Sequence, residues 1–135
     1  MRNSIFEEMV DLGLFPSENT MKSVTVTFRI PYYTQWGQSL LVCGSVPLLG
    51  SWNVKRGILL TPSHQEKELI WRGSIDVPSG FECEYSYYVV DDEKNTLRWE
   101  MGNKRRLALP DTVQDGEEVE LHDLWQVNFP PWNAA

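Results

Sequence analysis

Ser23-Val24-Thr25-Val26-Thr27-Phe28-Arg29-Ile30-Pro31 decides the fold class. Val24, Val26, Phe28 and Ile30 alternate with Thr25, Thr27 and Arg29, and a period of two puts the four apolar side chains on one face of a β-strand. Pro31 lacks the amide proton that a ladder needs and ends the strand. The same signal returns downstream in short segments. Ser39–Cys43 closes at Gly44-Ser45, a Pro/Gly-rich loop runs to Gly57, and the apolar run Ile58-Leu59-Leu60 follows. Leu69–Val77 alternates ahead of the turn Pro78-Ser79-Gly80, and Glu82–Val90 is rich in Tyr and Val. Asp91-Asp92-Glu93-Lys94-Asn95 reads as a hairpin tip whose return strand runs through Leu97 to Trp99. Lys104–Leu109 and Glu117–Leu121 supply the last two strands, separated by turns at Pro110-Asp111 and Asp115-Gly116. Seven or eight short strands punctuated by turns, with no helix among them, predict an all-β sandwich or barrel.

Residues 1–22 read differently. Ser4 followed by Glu7 matches a capping box, and Ile5, Phe6, Met9, Val10 and Leu12 cluster at helical spacing before Gly13 and Pro16 break the pattern. The expectation is a short amphipathic helix or a disordered extension, with Pro16-Ser17-Glu18-Asn19-Thr20 as linker, then one module over 23–126 and a tail over 127–135.

Composition narrows the function. The 135 residues fit one domain, and a net charge of -7 repels phosphate backbones and anionic bilayers, so neither nucleic acid nor membrane is an expected partner. The compact basic run Lys104-Arg105-Arg106 reads as a solvated strand start. No apolar run approaches the length that spans a bilayer, and the first residues lack a secretory pattern, so a cytoplasmic setting is expected. Cys43 and Cys83 sit in strand-like segments and read as buried reduced thiols, with an immunoglobulin-type bridge as the alternative. His64 and His122 have no Cys or His at ligand spacing, and no metal or other cofactor is expected. The acids gather in turn-like runs such as Asp91-Asp92-Glu93 and Glu117-Glu118, without the paired carboxylates of a glycosidase or a Ser/His/Asp set. The chain reads as a binding module rather than an enzyme.

Six tryptophans supply an unusual amount of flat aromatic surface. Trp71, inside Leu69-Ile70-Trp71, reads as core filler. Trp36 lies in the loop Thr34-Gln35-Trp36-Gly37, Trp52 in Leu49-Gly50-Ser51-Trp52-Asn53, and Trp99 beside Glu100 and the Gly102-Asn103 turn. Indoles in loops, where binding residues gather, are candidate ligand contacts.

These stretches carry a resemblance. Val26-Thr27-Phe28, Leu41-Val42-Cys43-Gly44-Ser45-Val46-Pro47-Leu48-Leu49-Gly50-Ser51-Trp52-Asn53, Trp71-Arg72-Gly73, Pro78-Ser79-Gly80, Glu84-Tyr85-Ser86-Tyr87, Trp99-Glu100 and Asp123-Leu124-Trp125 are similar, in order and spacing, to the starch-binding modules called family 20 carbohydrate-binding modules. Ile30-Pro31-Tyr32-Tyr33-Thr34-Gln35-Trp36-Gly37, Leu40-Leu41-Val42-Cys43-Gly44-Ser45 and Tyr87-Tyr88-Val89-Val90-Asp91-Asp92 further resemble the N-terminal one of the two modules ahead of the catalytic domain in plant cytosolic 4-α-glucanotransferases of glycoside hydrolase family 77.

The resemblance implies an immunoglobulin-like antiparallel β-sandwich with two sites for α-1,4-glucan such as starch, glycogen-like heteroglycan or maltodextrin. It places Trp52 and Trp99 in the first site, with Glu100, Asn103 and Lys104 beside them. The family's lysine falls at Ser86 and its asparagine at Lys104, so the hydrogen bonding there is expected to differ. Trp36 falls in the second site, whose other aromatic has no counterpart in His64-Gln65-Glu66-Lys67-Glu68, and this site is expected to be the weaker. A second module and a catalytic domain in a longer chain are the implied companions. From another class, the competing reading is an immunoglobulin-like protein-interaction module without carbohydrate binding.

Overall fold

Residues 23–127 are described in the computed structural model; the short helix expected within residues 1–22, and residues 128–135 of the expected tail, lie outside them. The opening alternation does what its period requires. β1 (Val24–Pro31) buries Val24, Val26, Phe28 and Ile30 completely and leaves Thr25, Thr27 and Arg29 half-buried. β2 (Ser39–Gly44), β3 (Ile58–Leu59), β4 (Thr61–Gln65), β5 (Glu68–Val77), β6 (Glu82–Val90), β7 (Thr96–Trp99), β8 (Arg105–Ala108) and β9 (Glu118–His122) follow. One sheet has the order β4-β5-β1-β9, and the other β3-β2-β6-β7, with β8 also paired to β6. The result is the expected β-sandwich.

Two features depart from expectation. The described residues hold nine strands rather than seven or eight. The extra one is β4, whose five residues are all exposed. An edge strand wet on both faces shows no alternation and tolerates Pro62, so its sequence reads as loop. The pairing is also not uniformly antiparallel: β9 runs parallel to β1, with Thr25 opposite Glu118 and Arg29 opposite His122.

Between the sheets, β1 and β5 meet β2 and β6. Phe28 packs edge-on against Tyr85 and Tyr87, at centroid distances of 5.1 and 6.4 Å. Each such fully buried side chain contributes about 1.5–3 kcal/mol. Trp71 is core filler, as its strand position implies, with its indole N–H donating to the Tyr32 carbonyl at 2.9 Å. Cys83 lies in this main core, where burial pushes its thiol up to about 11. Cys43 belongs to a smaller cluster with Leu41, Tyr88, Val90 and Val54. Both thiols are free, so the alternative of an immunoglobulin-type bridge does not hold.

The small cluster lies under the β2–β3 loop, which therefore forms a fixed platform. A 3₁₀ turn over Pro47–Leu49 ends at Gly50 with φ 90°, a left-handed conformation that costs an L-residue about 1–2 kcal/mol. A Cβ at Gly50 would also lie 2.7 Å from the Asn53 carbonyl oxygen. Gly50→Ala is expected to destabilise the domain by at least about 1 kcal/mol, lowering the thermal midpoint by roughly 5 °C or more. An unchanged midpoint in a circular-dichroism melt would refute that assignment of strain.

Candidate functional site

After Gly50 the chain keeps the left-handed conformation through Ser51 (φ 48°) and Trp52 (φ 63°), neither of which is glycine. Such strain persists only where the surroundings over-determine it, and it gathers at functional positions. Here the Ser51 N–H donates to the Val46 carbonyl (3.0 Å), the Trp52 N–H to Gly44 (2.8 Å) and the Asn53 N–H to Gly50 (2.9 Å). The Asn53 side chain then accepts from the Lys55 N–H at 3.2 Å. Trp52 is consequently held 37% exposed.

Trp99 reaches the same side of the molecule by another route. It ends β7 directly opposite Tyr88 of β6, and Tyr88 is itself opposite Leu41 of β2. Residues opposite one another share a sheet face, so Trp99, Tyr88 and Leu41 form a row on the outer face, with Trp99 57% exposed at its edge. Lys104 links this row to Trp52. Its ammonium lies 5.1 Å from the centroid of the Trp52 ring and 5.9 Å from that of Tyr88. Both indoles stand open to water, with the Lys104 cation between Trp52 and Tyr88, the neighbour of Trp99 in the row.

The platforms beneath the two rings are fastened together. Lys55, just past Trp52, donates from Nζ to the Asn95 side chain at 3.0 Å and to the Glu93 carbonyl at 3.4 Å, in the hairpin tip that leads into β7. That tip is rigidified by Asp91, whose carboxylate accepts from the backbone N–H groups of Asn95 (2.8 Å) and Glu93 (2.9 Å). Those bonds, the Asn95 N–H first among them, hold the Asp91 carboxyl below its ordinary value.

Glu100 differs from the sequence expectation. Grouped there with the glucan contacts, it turns inward, and its side chain is 1% exposed. Its carboxylate accepts from the Tyr87 N–H (3.0 Å), Arg105 Nη2 (2.6 Å) and the Gln126 N–H (2.7 Å). Ser86, where the family's lysine falls, is buried and donates to the same carboxylate at 3.3 Å. Neither group has an open edge for a ligand. Asn103 and Lys104 are exposed, in the turn beyond.

Arg105 also departs from its reading as part of a solvated basic run. Its side chain is 15% exposed and lies between Glu100 and Asp123. Burial works against its charge, but the hydrogen bond and the charge of Glu100 outweigh it and raise its pKa. Asp123 in turn accepts from the hydroxyls of Tyr85 and Tyr87, each at 2.7 Å. Burial first, and the Asp123 carboxylate second, push both phenols far above their ordinary range. This inner network escapes a sequence reading because its partners are as far apart as 26 residues, for Glu100 and Gln126, and 38, for Tyr85 and Asp123, and meet only through the fold.

Trp36 belongs to a different depression, which it lines together with Tyr33, Gln38, His64, Trp71 and Asp92. Trp36 and Tyr33 are both strongly exposed. Gln38 ties their loop down by accepting from the Gln35 N–H (3.1 Å) and from Arg98 (3.3 Å). A second aromatic therefore exists at this depression, in Tyr33 rather than in residues 64–68. The available signal was an aromatic three positions before Trp36, beyond the end of the alternating strand.

The family model described as starch binding domain matches residues 23–119. The chain belongs to that family. This starch binding domain is 60% identical over 109 residues to the 4-alpha-glucanotransferase DPE2 of Oryza sativa subsp. japonica, a match that takes in 81% of the chain and 12% of the rice protein. It is 30% identical over 106 residues to an alpha-amylase of Thermomonospora curvata, covering 77% of the chain and 17% of the amylase. The chain thus spans only a small part of the length of these relatives. Among solved structures, a family 15 glucoamylase from Hypocrea jecorina superposes with a TM-score of 0.70 at 28% identity over 78% of the chain and 17% of that enzyme. The family 20 module of a maltotetraose-forming amylase from Pseudomonas saccharophila superposes with a TM-score of 0.58 at 24% identity, covering 73% of the chain and 99% of that module, and shares the fold.

Proposed function

We propose that this starch binding domain holds an α-1,4-glucan by laying successive glucose rings on Trp52 and Trp99. The observation that carries the reading is that two indoles stand open, one from a strained loop and one from a strand end, with Lys104 joining Trp52 to Tyr88, the residue directly opposite Trp99. A pyranose presents a face of C–H groups, and stacking it on an indole removes apolar area from water while the hydroxyl rim stays wet. Roughly 100 Å² at about 25 cal/mol/Å² gives on the order of 2.5 kcal/mol per ring. Lys104, a pure donor, supplies hydrogen bonds to sugar hydroxyls in place of Ser86 and Glu100, which are turned inward. Ordering and association costs remove several kcal/mol, which leaves micromolar to millimolar dissociation constants.

Trp36 and Tyr33 form the second, weaker contact, and a polymer long enough to touch both sites gains through effective concentration. The similarity to the rice 4-alpha-glucanotransferase supports a role in holding substrate for such a transferase within a longer chain. The family match favours this reading over a protein-interaction module. A chemical-shift titration with maltoheptaose tests it: the indole N–H signals of Trp52 and Trp99 are expected to move first and together, and that of Trp36 at higher concentration. Stationary Trp52 and Trp99 signals at millimolar ligand would sink the assignment.

A further inference from the structure

Resting on the reading that Trp52 and Trp99 hold the sugar, the geometry points to Gln126 as a positioning residue for the glucan site, and to an energetic link between sugar binding and the segment 123–126 that follows β9. Trp99 and Lys104 flank the turn 100–103, which contains Gly102 in a left-handed conformation (φ 99°) and no regular structure. A turn of this kind does not fix its two ends unaided. The residues that follow the two site residues, Glu100 and Arg105, are ion-paired at 2.6 Å and close its base. Its middle is held by Gln126 alone among the bonds found in the described residues. The Gln126 side-chain amide donates to the Asn103 carbonyl at 2.8 Å, and the Gln126 backbone carbonyl accepts from the Met101 N–H at 3.3 Å.

The rest of the segment is built into the same place. The Gln126 N–H donates to Glu100, the Leu124 carbonyl accepts from Arg105, and Asp123 joins Arg105 from the other side. Trp125 provides a second connection. Its ring lies 4.5 Å from Tyr32, whose hydroxyl accepts at 3.1 Å from Arg98, the residue before Trp99 on β7. The segment following β9 therefore braces both sides of Trp99. If this brace pre-orders the turn, removing it makes sugar binding bear the ordering entropy, and by reciprocity bound sugar must stabilise the brace.

The experiment uses the full chain and maltoheptaose. In the wild type, saturating ligand is expected to slow amide hydrogen exchange at Met101 and Gln126 by about fivefold or more, the size of a modest coupling. Gln126→Ala is expected to weaken maltoheptaose binding by roughly three- to tenfold, the loss of one positioning hydrogen bond, with its thermal midpoint close to that of the wild type. Gln126→Lys, which keeps a donor within reach of the Asn103 carbonyl, is expected to recover most of the affinity, a rescue that loss of packing alone would not show. Ligand-shifted Trp52 and Trp99 signals with unchanged exchange at Met101 and Gln126, or a Gln126→Ala affinity within about twofold of the wild type, would overturn this inference and leave the glucan site standing. Stationary Trp52 and Trp99 signals would overturn both.

Discussion

Trp52→Ala is expected to lower affinity for maltoheptaose by roughly one to two orders of magnitude, since a stacked ring is worth on the order of 2.5 kcal/mol and part of that area stays covered by the remaining indole. Retention on insoluble starch should fall to near background. The fold should survive, because the Trp52 ring stands outside the main core and the loop is held by backbone bonds that alanine keeps. Alanine in the left-handed conformation is no more strained than tryptophan there, so the midpoint should move little. Isothermal calorimetry with a parallel melt measures both quantities. An affinity within a factor of about three of the wild type would mean that the indole is not a stacking platform.

Arg105→Ala should produce the largest loss of stability among the changes considered. The guanidinium is the cation between two inward carboxylates, Glu100 at 2.6 Å and Asp123 at 3.5 Å, and it also lies 5.4 Å from the Tyr87 ring. Breaking a buried pair by deleting one partner costs about 3–5 kcal/mol, because the other charge is left uncompensated. At about 4–8 °C per kcal/mol the thermal midpoint should fall by more than about 10 °C. Adding Glu100→Gln should recover a large part of the loss, since a neutral amide can still accept from the Tyr87 N–H without stranding a charge. A single variant that melts within about 3 °C of the wild type would show that the network is well solvated.

How far the sequence reveals this molecule depends on whether each residue's neighbours lie along the chain or across the fold. β1, β5 and β6 were readable because a strand with one face in the core carries that asymmetry as alternation. β4 was not, since water on both faces leaves no such mark. The placement of Trp36, Trp52 and Trp99 in loops or at a strand end foretold their exposure, and Trp71 inside a strand foretold its burial. Glu100 is placed among the glucan contacts by the resemblance and Arg105 in a solvated basic run by its neighbours, and one feature of the fold overturns both. A distant segment, Asp123 to Gln126, closes over both side chains, and nothing in the local sequence announces it. The resemblance points to residues 64–68 for the second aromatic, whereas the fold brings Tyr33 alongside Trp36.

The parallel pairing of β1 with β9 gives the molecule two poles. Ser23, accepting from the Gly116 N–H, marks one pole, and five residues of parallel register carry β9 about 15 Å towards the other before the chain turns to Gln126. The two ends of the described chain are thereby kept apart: Ser23 sits beside the 110–116 turn, and Gln126 lies against the 100–103 turn that Trp99 and Lys104 flank.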